Sequence, residues 1–275
     1  MRAEIVFDGF YTDPVLDHPE CVAFDPVDHS LWCGGEAGQI YRLDLDAGTI
    51  ELKDANPGGF TLGVAFGPER TLYWLDAKRR QVRRLAVGAG TPAEVVVDGK
   101  VGGHRLAYPN AIVFADNGVG YFTDSQGGGP GVYRLPPGGS AQLWSAGPFN
   151  FANGIAYAPD GTHLLVAESN GAAIARVPIL EDGSAGPVSR PWSVGGFVPD
   201  GVTFGPDGRA YVACYYPSAI LRLEDDGSAS IIYEDPQGSI LSNPANLTFY
   251  GTDAYVANLG RWHITRLDFA EVLAG

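Results

Sequence analysis

Along this chain, apolar and polar positions alternate in short runs broken by Gly, Pro and Asp. That is the period of strands joined by hairpins, not of helices. Six segments repeat one pattern: ECVAFDP from Glu20, LGVAFGPE from Leu62, NAIVFADNG from Asn110, NGIAYAPDG from Asn153, DGVTFGPDG from Asp200 and ANLTFYGTD from Ala245. Four residues into each copy stands an aromatic: Phe24, Phe66, Phe114, Tyr157, Phe204 and Phe249. Their spacings of 42, 48, 43, 47 and 45 residues suit a blade of four strands.

The rest of each copy completes the blade. A turn signal follows the aromatic, best seen as Pro-Asp-Gly at 159–161 and 206–208. A second apolar run comes next (LYWLD, GYFTDS, LLVAES, AYVAC, AYVAN), then a third ending in Arg and an apolar residue (IYRLD, VRRLA, VYRLP, IARVP, ILRLE, ITRLD). A weaker fourth run precedes the next copy, such as AQLWSA at 141–146 or ASIIYE at 229–234. The pattern predicts an all-β chain: one six-bladed β-propeller domain over 1–275, with four antiparallel strands per blade. The last copy has little room beyond ITRLDF, while AEIVFDG at 3–9 precedes the first. The N-terminal strand is therefore expected to complete the last blade and remove the free edges. The one helix expected is a final turn near Phe269–Leu273.

Composition narrows the partners. The net charge is −14, which repels phosphate backbones and anionic lipid, so neither nucleic acid nor membrane is expected. A small-molecule substrate is expected, bound by a monomer or a weak homo-oligomer. The three cysteines, Cys21, Cys33 and Cys214, form no CxxC pair and are odd in number, which argues against a disulfide framework. The start, MRAEIVFDGF, lacks the apolar core of a signal peptide, and no apolar stretch is long enough to span a bilayer. A cytoplasmic location is the expectation.

The chemistry concentrates at the first position of each copy: Glu20, Leu62, Asn110, Asn153, Asp200 and Ala245. This position opens the innermost strand, so the six side chains are expected to converge on the central channel. Four are oxygen donors, two of them carboxylates, and such a set suits a hard cation, Ca²⁺ first. The plain alternative is that Asn153-Gly154 and Asp200-Gly201 only make turns. A second polar set ends the second strands: Asp76, Asp124, Glu168, Cys214 and Asn258. It is expected deeper along the channel, more in satisfying backbone groups than in catalysis. Substrate contacts are sought on the loops, at His104, Arg105, Phe151 and Tyr215, with His18, Phe149, Tyr216, Trp262 and His263 as further candidates. SQGGGPG at 125–131 lacks the Gly-Lys-Ser/Thr of a phosphate loop and reads as a flexible hairpin. No GxSxG elbow and no zinc spacing of His is present.

Three stretches, FANGIAYAPDGTHLLVAES, VPDGVTFGPDGRAYVAC and YPNAIVFADNGVGYFTDS, make the chain resemble the SMP-30/gluconolactonase/LRE family of propeller hydrolases over nearly its whole length. The resemblance implies one divalent cation, Ca²⁺ or alternatively Zn²⁺, Mn²⁺ or Mg²⁺. It implies Glu20, Asn153 and Asp200 as ligands, with Asn110 binding metal or substrate. Asp200 and Asn110 are then the catalytic candidates, and the reaction expected is hydrolysis of a lactone or ester. Two departures touch the substrate: Ala111 follows Asn110 where relatives often carry an acid, and the Arg that usually precedes that Asn is displaced, Arg105 being nearest. The alternatives are a phosphotriesterase-like hydrolase, a relative recruited to another biosynthetic reaction, and a non-catalytic binding propeller.

Overall fold

A computed structural model of the chain describes residues 1–125 and 131–274. The hairpin expected over 125–131 therefore falls, at 126–130, outside the described residues. Six four-stranded antiparallel sheets stand around one axis. Blade 1 comprises Val22–Asp25, Ser30–Gly34, Ile40–Asp44 and Thr49–Asp54. Blade 2 runs from Thr61–Gly67 to Glu94–Asp98, blade 3 from Pro109–Phe114 to Gln142–Ser145, and blade 4 from Ala152–Tyr157 to Ser189–Ser193. Blade 5 runs from Val198–Phe204 to Ala229–Glu234. Blade 6 holds Pro244–Tyr250, Asp253–Asn258 and His263–Asp268, and its fourth strand is the N-terminal Ala3–Asp8, paired from Ala3↔Leu267 to Asp8↔His263. The ring closes as expected, and a single helical turn, Ala270–Leu273, follows it.

One apolar cluster fills each of the six gaps between neighbouring blades. Trp32 and Trp74 pack between blades 1 and 2, Phe122 and Tyr133 between 2 and 3, and Tyr211 and Phe269 between 5 and 6. Phe7 of the closing strand is buried with Leu16 and Leu31 in the gap between blades 6 and 1. Continuous apolar second strands, buried on both faces, are what this stacking requires.

Turn and edge residues have local causes. Gly161 and Gly208 take φ values of +73° and +75° in the Pro-Asp-Gly turns, where only glycine is free of strain. The recurring third-strand arginines brace the blades at the surface. Arg42 pairs with Asp28, Asp44 and Glu51; Arg84 with Glu94; and Arg222 with Glu224. The 48-residue spacing between Phe66 and Phe114 has its reason in an extra hairpin, Lys100–Val101 with His104–Arg105, between blades 2 and 3. The three cysteines are free and buried. Among the described residues no helix is long and apolar enough to cross a membrane.

Candidate active site at the channel mouth

The inner strands start at one end of the ring, and there a repeated irregularity re-aims the first-position residues. In blades 2 to 6 the pairing of first and second strands slips across Leu62, Asn110, Asn153, Asp200 and Ala245. A β-bulge of this kind frees a residue from the ladder and re-aims its side chain. Asn153-Gly154 and Asp200-Gly201 are thus strand bulges and not turns. Their glycines permit close approach: a β-carbon on Gly201 would lie 2.6 Å from the Ala245 carbonyl oxygen. Where blade 3 carries Ala111 instead, Thr123 spans the gap, its Oγ1 accepting from Ala111 N at 3.0 Å and donating to the Asn153 carbonyl at 2.8 Å.

Asn110, Asn153 and Asp200 are buried, and Glu20, just ahead of the inner strand of blade 1, is half-buried. Burial, then the charges of Asp200 and Glu36, push Glu20 well above the usual carboxylate range. Asp200 is raised by burial, against which the Asn153 amide acts as a weaker stabiliser of its anion. The same charges reach Tyr108 and Cys21: burial and then Glu20 raise the Tyr108 phenol to about 12, and burial lifts the Cys21 thiol to about 12 as well. Glu20 and Asp200 therefore share one poorly solvated space, and the charges acting on Glu20 are both anionic.

The amides complete the set. Asn110 gives its Nδ2 to Ser125 Oγ at 3.0 Å and Asn153 gives its Nδ2 to Ser169 Oγ at 3.1 Å. Two carboxylates short of a counter-charge, beside two amides whose NH₂ groups are already engaged, have the chemistry of a site for a hard divalent cation. Among the described residues no group of three His, Cys, Asp or Glu gathers as a metal cluster; the donors here are mixed carboxylate and amide. Below them the channel encloses about 210 Å³, lined by Ala23, Val64, Ile112, Ile155, Val202 and Leu247 among others.

The second-strand residues are not deeper in the channel. Asp76, Asp124, Glu168, Cys214 and Asn258 pair with Thr61, Pro109, Ala152, Pro199 and Pro244 at the same end, one strand further from the axis. Four of them hold the incoming loops. Asp76 accepts from Phe60 N, Asp124 from Ala107 N and Tyr108 N, Glu168 from Asn150 N, and Asn258 from Ser242 N. Arg79 and Arg190 neutralise Asp76 and Glu168.

The loop candidates divide. His104 and Arg105 are exposed on the extra hairpin between blades 2 and 3. His263 is buried with Nε2 on the Ile240 carbonyl, so it belongs to the scaffold. Phe149 packs against Gly131 and Gly147. Phe151 is half-buried, with φ +64° immediately before Ala152. On the loops at this end of the ring, His18 lies 4.0 Å from the Trp262 ring, Trp262 stacks on Phe10 at 5.4 Å, and Tyr215 and Tyr216 are exposed. Ser125 and Ser169 were not singled out by the sequence reading; the signal was there, in the Ser that closes GYFTDS and follows LLVAE.

Comparison with known proteins agrees with this architecture. Strictosidine synthase-like protein 7 of Arabidopsis thaliana is 25% identical over 311 aligned positions, covering 92% of this chain and 80% of that protein. A gluconolactonase of Zymomonas mobilis is 27% identical over 205 positions, covering 66% of this chain and 56% of the relative. The solved structure of a Xanthomonas campestris gluconolactonase superposes with a TM-score of 0.81 at 22% identity, over 97% of this chain and 89% of that one, and shows the same fold. The family model described as the SMP-30/gluconolactonase/LRE-like region matches residues 18–257, and the chain belongs to that family.

Proposed function

We propose that this propeller is a metal-assisted hydrolase that opens a lactone or cleaves an ester. The observation that carries this reading is the meeting of Glu20 and Asp200, two carboxylates raised by burial with only anions acting on Glu20, beside Asn110 and Asn153. A divalent cation, Ca²⁺ in the first instance, held by Glu20, Asn153 and Asp200, with Asn110 binding it or the substrate, would supply Lewis-acid polarisation of the substrate carbonyl. Asp200 would also orient the attacking water and accept its proton. As water adds to the carbonyl carbon its proton passes to Asp200; the C–O bond to the alkoxide then breaks and the leaving oxygen takes that proton back from Asp200, giving an acid and an alcohol. Asn110 lies two blades away, suited to orient the substrate. The channel below the four donors is lined mainly by apolar side chains, among them Val64, Ile112, Ile155, Val202 and Leu247, which favours an uncharged substrate.

The test is a panel of lactones, aryl esters and phosphotriesters, assayed with calcium and with chelator. Asp200→Ala is expected to lose about 10²–10⁴ in kcat/KM on the preferred substrate, the usual worth of a placed proton acceptor. Undiminished turnover in that variant would overturn the mechanism. A second reading, recruitment to a different biosynthetic reaction, is favoured by the strictosidine synthase-like relatives that align over 92% of the chain. Calcium binding without hydrolysis of any class in the panel would select it.

A further inference from the structure

Two serines beside the candidate amides sit in the same hydrogen-bond pattern one blade apart. Ser169 Oγ accepts from Asn153 Nδ2 at 3.1 Å and donates to the Pro199 carbonyl at 2.7 Å. Ser125 Oγ accepts from Asn110 Nδ2 at 3.0 Å and donates to the Ala152 carbonyl at 2.6 Å. A serine hydroxyl has a single proton. In each case that proton goes to the carbonyl immediately before the next first-position residue: Pro199 precedes Asp200, and Ala152 precedes Asn153. With its proton committed, the hydroxyl can only accept, so each Asn must turn its NH₂ toward the serine. That assigns the amide orientation by elimination and keeps each Oδ1 off the serine. The two relays link three blades, from Asn110 through Ser125 to the Ala152 carbonyl just before Asn153, and from Asn153 through Ser169 to the Pro199 carbonyl just before Asp200. Counted from the residue paired with each repeat aromatic, the matching positions of the other blades are Glu36, Ala77, Tyr215 and Leu259. The two small hydroxyls occur only in the two blades whose first position is Asn.

We infer that Ser125 and Ser169 are positioning residues, which fix the orientation of the Asn110 and Asn153 amides and the spacing of both from Asp200 before any ligand arrives. The inference rests on reading the site as a divalent-cation centre. Its test has one readout that does not need the cation.

Chelator-treated wild type, Ser125→Ala and Ser169→Ala are titrated with calcium chloride by calorimetry, and side-chain amide ¹H–¹⁵N spectra are recorded without metal. Each alanine variant is expected to bind calcium about 10–100-fold more weakly, the usual loss when a partner of a ligand is removed. In the metal-free spectra, Ser169→Ala should move the Asn153 NH₂ resonances and Ser125→Ala those of Asn110. Ser169→Thr, which keeps the hydroxyl, should bind as wild type does. Unchanged affinity with unmoved amide resonances would overturn the positioning role. Wild type that takes up no calcium would instead overturn the cation reading, while the metal-free spectra would still decide the role of the serines. Should an alanine variant fail to fold, Ser169→Cys, which keeps the volume and weakens the bonds, carries the same expectation.

Discussion

Gly154 and Gly201 lie where the inner strands of blades 4, 5 and 6 come closest. A β-carbon on Gly154 would collide with the Asp200 carbonyl oxygen and lie 2.6 Å from the Gly201 α-carbon. Both obstacles are backbone and cannot swing aside. Gly154→Ala should therefore lower the free energy of unfolding in urea by about 1–3 kcal/mol, the usual cost of overpacking. A loss near zero would mean that the inner strands can part without strain. The glycines were visible in the sequence, but their reason was not. Asn-Gly and Asp-Gly are turn signals in any local reading, and only the neighbouring blade turns them into points of close approach. The four candidate donors could be named because the repeat aligned them. The serines were not, since a lone hydroxyl after a carboxylate acquires meaning only when strand pairing sets it beside an asparagine.

The strands themselves were legible down to the closing one, because alternation, turn residues and the aromatic repeat all point the same way. What the repeat could not show is how each loop is tied to its blade. Between blades 5 and 6, Asp235 gathers a loop by accepting from Ile240 N at 2.6 Å, Leu241 N at 3.1 Å and Ser239 Oγ at 3.1 Å. Burial alone would raise this carboxyl, yet the amides of Ile240 and Leu241 outweigh it and hold Asp235 below its ordinary value. A carboxyl lowered by folding contributes stability that is complete above its unfolded pKa of about 3.9 and is lost as pH falls through the lower folded value. Asp235→Asn should thus cost about 1–2 kcal/mol at pH 7. The gap from wild type should shrink as pH drops below about 4, read as unfolding free energies at several pH values. A gap that stays constant down to pH 2 would show that the charge is not what holds the loop. The same logic explains the misplacement of Asp76, Asp124 and Glu168. A buried acid at a strand end looks like a channel residue until its loop partners are known.

At the scale of the whole molecule, six near-equivalent blades carry a candidate site that is not symmetric. Blades 1, 3, 4 and 5 contribute oxygen donors, while Leu62 and Ala245 fill the same position in blades 2 and 6. A ring held by six apolar seams can carry a local cost at its axis, and functional sites are where such a cost is expected. Here the cost is identifiable. Glu20 and Asp200 are both raised by burial, and Glu20 further by the charge of Asp200. Replacing one carboxylate by its neutral isostere removes that repulsion and leaves the packing intact. Asp200→Asn should therefore melt at or above the temperature of wild type in chelator. Added calcium should raise the wild-type melting temperature and leave the variant behind, reversing the order of the two. A variant that melts well below wild type in chelator would show instead that the Asp200 charge is already paired within the protein, and the case for a cation at the channel mouth would lose its electrostatic basis.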